Sequence, residues 1–209
     1  MRLRYKRLYL LGIVLLATAA LAQNPIVDKS IATDSVASRS ILKNHFQNKY
    51  KLVLSYSVGC AMGDAQIYYA FGFRNERWEK IELSVRFKSR NRVYDQVKRI
   101  KSKKQKLKDS SQIDSLLQFW DQNEIWKLNT DSVNVKSKKV EGVHPGEMSE
   151  DLILISDGCV YSLEIFDSAS YCIISSYEPE RYQEQIPVPQ RERFILLKDQ
   201  LMHYWNTVR

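Results

Sequence analysis

Cysteine, histidine, proline and glycine are all scarce in this chain: three, three, five and seven in 209 residues. Three cysteines are too few for the disulfide-dense framework of a secreted miniprotein. With three histidines, and with no C-x-x-C, no H-E-x-x-H and no D-x-D-x-D-G loop, the sequence holds no zinc or calcium motif. A phosphate-cradling glycine loop is missing as well. Gly59 to Gly63 is short and leads into another expected strand, not into a helix N-terminus where a phosphate would be held. No G-x-S-x-G elbow surrounds any serine. Neither a cofactor nor a metal is therefore expected. What remains is ordinary for a globular chain, with 44% hydrophobic and 27% charged residues. That balance excludes a wholly disordered, collagen-like or polytopic membrane protein. The length suits one domain.

The most specific signal is at the start. Arg2, Arg4, Lys6 and Arg7 precede an almost wholly apolar stretch from Leu8 to Leu21, and Ala20-Leu21-Ala22 is a small-x-small cleavage site. This is the layout of a secretory signal peptide over residues 1–22. The apolar stretch, about 15 residues, falls short of the roughly 20 that span a bilayer. The expectation is an exported domain over 23–209, periplasmic or extracellular, with no transmembrane span after cleavage. Loss of the leader removes four positive charges and takes the formal net charge from +8 to +4.

Periodicity then predicts the elements. A short helix is expected over Asp34 to His45, capped by Asp34 or Ser35. Lys51 to Val58 alternates as a half-buried strand, and Ile67, Tyr69, Phe71 and Phe73 form a second alternating set. After a polar turn at Arg74 to Arg77, Ile81, Leu83, Val85 and Phe87 face one way and Lys80, Glu82, Ser84, Arg86 and Lys88 the other. One residue of slip would bury five polar side chains, so this strand's orientation is strongly specified. A fourth strand is expected around Val93 to Ile100. Ile113, Leu116, Leu117 and Trp120 make one stripe of an amphipathic helix from Ser111 to Ile125. A long polar loop is expected at about 129–150. Leu152 to Tyr177 reads as a three-strand meander with a type I′ turn at Asp157-Gly158 and a second turn at Ser168-Ala169. That register opposes Leu152 to Leu163, Leu154 to Tyr161, Ile165 to Cys172 and Leu163 to Ile174. A final helix runs from about Arg191 to Trp205, with Phe194, Leu197, Leu201 and Tyr204 on one stripe. Strands, helix, strands, helix, without a repeating strand–helix crossover, predict a single α+β domain: a mainly antiparallel sheet with helices packed on one face.

Export implies an oxidising compartment, so the cysteines matter. The meander separates Cys159 from Cys172 by six residues of strand, roughly 20 Å, beyond the ~7 Å reach of a disulfide. Any bridge is therefore expected between Cys60 and either Cys159 or Cys172, the alternative being three small buried hydrophobes. For nucleophilic catalysis, His45, His144 and His203 are the only histidine bases, and of these His144 alone falls in the long loop. A Cys60, His144, Asp157 set can be drawn without any spacing that enforces it. Glu147, Glu150 and Asp151 near that loop, and Glu164 and Asp167 near a hairpin end, are candidate carboxylate pairs for hydrolysis. Glu164, opposite in face to Leu163 and Ile165, would gain a raised pKa if its side of the sheet were buried.

The unusual patch is basic. Lys98, Arg99, Lys101, Lys103, Lys104, Lys106 and Lys108 place seven positive charges in eleven residues with no acid among them. Without them the exported remainder would carry −3. Such a run attracts a polyanion, or blocks edge-to-edge sheet pairing. Aromatics are not interleaved as stacking platforms, so nucleic acid is not expected.

The segment Asp157-Gly158-Cys159-Val160-Tyr161-Ser162-Leu163-Glu164, with Tyr171 and the Phe194/Leu197/Leu201 helix, resembles small exported bacterial proteins in which a D-G-x-x-aromatic-x-L-E hairpin precedes a closing helix. Tyr161 stands where a Trp is usual. The resemblance covers roughly the last 60 residues and implies a fold and an exported setting, with no assigned activity. The leading expectation is a non-enzymatic envelope protein that binds an anionic polymer or a protein partner. The alternatives are a small hydrolase using residues near 144–151, and an inhibitor or immunity-type protein whose long loop enters a partner's site.

Overall fold

A computed structural model describes residues 40–60, 63–90, 93–109, 111–141, 144 and 146–208. The expected leader, and Asp34 and Ser35 as caps, lie outside the described residues. In chain order the elements are α1 (Ile41–Phe46), β1 (Leu52–Cys60), β2 (Ala65–Arg74), β3 (Arg77–Arg90), β4 (Val93–Lys106), α2 (Ser111–Gln122), a 3-10 turn (Ile125–Lys127) and α3 (Thr130–Val133). They continue as β5 (Ser137–Glu141), β6 (Met148–Leu152), β7 (Cys159–Asp167), β8 (Tyr171–Tyr177), α4 (Pro179–Gln185) and α5 (Pro189–Thr207). Six strands form one antiparallel sheet in the order β4-β3-β2-β1-β7-β8, while β5 and β6 pair only with each other. This is a single α+β domain.

The helical stripes account for the first layer. Ile113, Leu116 and Trp120 of α2 and Phe194, Leu197 and Leu201 of α5 are fully buried against Leu52, Leu54, Phe71, Leu163, Ile165 and Ile174 of the sheet. Each such side chain contributes about 1.5–3 kcal/mol by leaving water. Asp109 begins α2 by accepting the Ser111 N–H at 2.9 Å, and the indole of Trp120 donates to the Leu197 carbonyl at 3.3 Å, tying α2 to α5.

The helices α2 and α5 share that face, as expected, and α3 joins them through Val133, but α1 does not. Its Leu42 and Phe46 pack on the opposite side with Val53, Tyr68, Ala70, Ile81, Leu83, Val85 and Phe166. The strand β1 is therefore buried on both faces, not half-buried: it sits centrally between β2 and β7 with an apolar layer on each side.

The meander is corrected in part. Ile165 opposes Cys172 and Leu163 opposes Ile174, as the second turn predicts. The strand beside β7 is β1, not the 152–156 segment: Leu54 opposes Ile165, Tyr56 opposes Leu163 and Cys60 opposes Cys159. Leu152 instead opposes Ser137, and Leu152 and Leu154 are 58% and 79% exposed. Asp157 is left-handed (φ 54°) but Gly158 is not, so the two do not make a type I′ turn. What demands glycine at 158 is the Glu178 side chain, which occupies the space where a Cβ would stand.

The stretch at 129–150 is not a featureless loop. The side chain of Asn129 accepts the Ser132 N–H to cap α3, and β5 and β6 then form a ribbon whose two strands are largely exposed. Arg191, 1% exposed, holds the base of the ribbon. Its guanidinium donates to the carbonyls of Val133 (2.9 Å), Ile186 (2.7 Å) and Val135.

Candidate anion-binding surface

The basic run belongs to an edge strand. Strand β4 extends beyond the expected Ile100 to Lys106 because β3 is equally long and pairs with it throughout. Side chains of a strand alternate between faces, so the seven cations do not converge. Arg99, Lys101 and Lys103 oppose Arg86, Ser84 and Glu82, on the side where the helices pack. Lys104 and Lys106 oppose Ile81 and Glu79 on the α1 side. Lys98 falls at a register shift, and Lys108 lies past the strand end. All seven side chains are exposed.

On the helix side this surface is strongly one-signed. Arg86 and Arg99 are directly opposite each other, an arrangement that is unfavourable without a counter-charge. The acid within reach is Glu82, 3.6 Å from Lys103 in a largely exposed pair, which is worth at most about 1 kcal/mol. Lys80, one row away, lies over the Trp205 ring at 4.6 Å, and burial lowers its pKa.

Lys104 has a different job. Its ammonium lies 5.5 Å from the Phe46 ring centre and 5.3 Å from that of Tyr50. Desolvation, then Arg74, lowers its pKa. It therefore packs α1 and Tyr50 to the sheet and is less free to meet a ligand. Gly72 makes this contact close, since a Cβ there would meet the Tyr50 ring at 2.6 Å. The Tyr50 hydroxyl thereby reaches Glu79 at 2.7 Å.

The two edges of the sheet are protected differently. At β8, the Ser175 N–H donates to Thr130 Oγ1, the Tyr177 N–H donates to Asn134 Oδ1, and Asn134 Nδ2 donates to the Ser175 carbonyl. No strand among the described residues covers the outer edge of β4; its lysines do the blocking.

The catalytic candidates are not brought together. Cys60 is bonded to Cys159, with Cα atoms 4.0 Å apart, so Cys60 has no thiol to serve as a nucleophile beside His144 and Asp157. The bridge chosen among the expected ones is thus Cys60–Cys159, because β1 lies beside β7. Cys172 is free, and burial pushes its thiol up to about 11, which keeps it unreactive. His144, Glu147, Glu150 and Asp151 are exposed along the β5–β6 ribbon, and Glu150 accepts the Ser137 hydroxyl. The four residues are spread along exposed ribbon positions and, among the described residues, are not gathered into a buried cluster. His45 stacks edge-on against Phe46, and His203 is exposed on α5.

Glu164 is buried, as its unusual face allowed. It is 4% exposed and accepts the Ser40 hydroxyl at 2.6 Å and the Tyr171 hydroxyl at 3.1 Å. Burial raises its pKa, against the two hydroxyl donors, which lower it. Because Ser40 also caps α1 by accepting the Lys43 N–H at 3.0 Å, Glu164 joins the helix to β7. Its hairpin neighbour Asp167 turns outward and accepts the N–H groups of Ala169 and Ser170. The two acids do not form a catalytic pair.

Arg74, Glu79 and Arg191 were not expected at functional or structural sites, since their partners are distant in sequence or across a turn. The only available signal was the Arg74/Arg77 pair flanking a short polar turn. The chain matches no protein-family model and no curated protein. No helix among the described residues is long and apolar enough to cross a membrane.

Proposed function

We propose that this protein is an exported, non-enzymatic envelope component that binds an anionic polymer along the helix-side face of β3 and β4. One observation carries the reading: the register sets Arg86 opposite Arg99 and aligns Arg99, Lys101 and Lys103 on one face of an uncovered edge strand. Alternate residues of a strand are about 7 Å apart, so three cations in line span roughly 14 Å and suit a repeating chain of negative groups. The Cys60–Cys159 disulfide supports an oxidising location, in keeping with the leader-like first 22 residues.

The test is retention on heparin and lipopolysaccharide columns. Arg99→Glu/Lys101→Glu/Lys103→Glu should elute well below the salt needed for the parent, with the thermal midpoint shifted by no more than a few degrees. Lys104 is left in place because it packs on Phe46 and Tyr50. Equal retention of parent and variant would end the polymer reading.

A protein partner is the second reading, favoured by the ribbon. Met148, Leu152 and Leu154 present exposed apolar side chains near one another in sequence, a feature of interaction surfaces. Leu152→Ser/Leu154→Ser should abolish any stoichiometric co-purifying protein while leaving stability unchanged. A partner retained by that variant would place its contact elsewhere.

A further inference from the structure

A second basic feature lies on the α1 side of the sheet, away from the helix-side face of β4. Asn75 (φ 49°) and Glu76 (φ 59°) are both left-handed and close a two-residue turn between β2 and β3. The turn pairs Arg74 with Arg77, so both arginines point to the same side. Glu79, two residues along β3, shares that side, and Lys106 of β4 stands opposite it. Arg74, Asn75, Arg77, Glu79 and Lys106 line a hollow of about 240 Å³. That is below the roughly 300–1,000 Å³ of typical small-molecule pockets and suits one charged group.

The charges in the hollow do not balance. Glu79 is 5% exposed. Its Oε1 accepts from Arg74 Nε at 3.1 Å and Nη2 at 2.9 Å, and its Oε2 accepts from the Tyr50 hydroxyl at 2.7 Å. Its carboxylate is thus matched by Arg74. Arg77 and Lys106 have no carboxylate in ion-pair range among the described residues. Glu76, the other acid of the turn, does not line the hollow. Two uncompensated cations therefore face one small space, beside an Asn amide and a guanidinium already fixed in place by Glu79.

We propose that this hollow binds a doubly charged tetrahedral oxyanion, a phosphate or sulfate group, held between Arg77 and Lys106 with Asn75 as a neutral donor. Arg77 supplies a planar fork suited to paired oxygens, and Lys106 a mobile point charge. The group is either free or a substituent of a larger polymer. The site goes beyond the β4 reading and does not depend on it, since neither Arg77 nor Lys106 is on the helix-side face.

The experiment is an amide-resolved NMR titration of the full chain with inorganic phosphate and, separately, inorganic sulfate, against sodium chloride at matched ionic strength. Saturable shifts confined to Asn75–Trp78 and Lys106 are expected, with the dissociation constant raised at least tenfold in Arg77→Ala/Lys106→Ala. Arg77→Lys should weaken binding by a smaller factor, because charge remains and the fork is lost. Both variants leave the Arg74–Glu79–Tyr50 contacts intact, and unchanged amide shifts away from the substituted residues check that the fold persists. A sulfated heparin disaccharide provides the second arm: tighter binding than sulfate assigns the group to a polymer, and weaker binding assigns it to the free ion. Arg99→Glu/Lys101→Glu/Lys103→Glu should leave the phosphate shifts unchanged, so failure of the polymer reading is told apart from failure here. Shifts reproduced by chloride alone, or unaltered in Arg77→Ala/Lys106→Ala, overturn the proposal.

Discussion

Replacing Glu164 by Gln isolates a buried carboxyl group whose desolvation holds its pKa above the ordinary range. In the unfolded chain this group titrates near 4.3. In the folded chain it keeps its proton to higher pH, because desolvation outweighs the hydrogen bonds from Ser40 and Tyr171. A raised acid pKa means that the folded state binds the proton more tightly. Stability from this group is therefore greatest at low pH. It declines once pH rises above the unfolded value, by up to about 1.4 kcal/mol per pH unit, until the buried group itself ionises. Glutamine cannot ionise, and its amide oxygen can still accept both hydroxyls. The variant should thus match the parent to within about 1 kcal/mol near pH 4 and become progressively the more stable of the two toward pH 7. Urea unfolding followed by tryptophan fluorescence at pH 4, 5, 6 and 7 reads the difference, and subtraction cancels the other titrating groups. Glu164→Ala serves as the control. It strands two hydroxyls and empties buried volume, costing about 2–4 kcal/mol near pH 4, and because it too lacks the carboxyl its profile should run parallel to that of Glu164→Gln toward pH 7. Parallel pH profiles for parent and Glu164→Gln, or a variant that loses stability as pH rises, would mean that an ionised carboxylate holds α1 to the sheet, and the reasoning would be wrong.

Two further outcomes follow from the ribbon base and the disulfide. Arg191→Met keeps an apolar stem but leaves the carbonyls of Val133, Val135 and Ile186 without their donor. It should cost about 3–5 kcal/mol and speed amide exchange at 137–141 and 148–152, and a loss under 1 kcal/mol would show that water replaces the guanidinium. Cys60→Ser/Cys159→Ser opens a bridge of sequence separation 99, for which chain entropy sets an upper cost of about 4–5 kcal/mol. Thiol labelling of the unfolded, unreduced parent should find Cys172 alone, and three reactive thiols would exclude the bridge.

The two basic surfaces and the protected β8 edge together describe how this sheet is finished. One edge is capped by side-chain hydrogen bonds from Thr130 of α3 and from Asn134, which follows it, and the other is left open and charged. Lysines on an edge strand prevent association with other sheets, and the proposed function gives the same residues a second role, anion binding. The two roles differ in what they ask of the register. Blocking needs charge anywhere on β4, whereas binding needs Arg99, Lys101 and Lys103 on one face, with Arg86 across from Arg99.

Residue order alone determined the elements whose partners are near in sequence. The alternation of Ile81, Leu83 and Val85, the stripes of α2 and α5, and the β7–β8 register all follow from side-chain period and turn chemistry, which act over a few residues. It also determined that seven cations would cluster, though not how they divide. Tertiary structure decided which strand lies beside β7. The Leu152–Leu154 run and β1 both offer alternating apolar side chains, but only β1, carried there by the whole sheet, forms nine paired positions and sets Cys60 opposite Cys159. It likewise decided that Glu164 meets Ser40, that Glu79 meets Tyr50 and Arg74, and that Arg77 and Lys106 share a hollow. The physical reason is common to all of these. A local period specifies which face a side chain occupies, while the partner on that face is chosen by how distant segments share limited buried space.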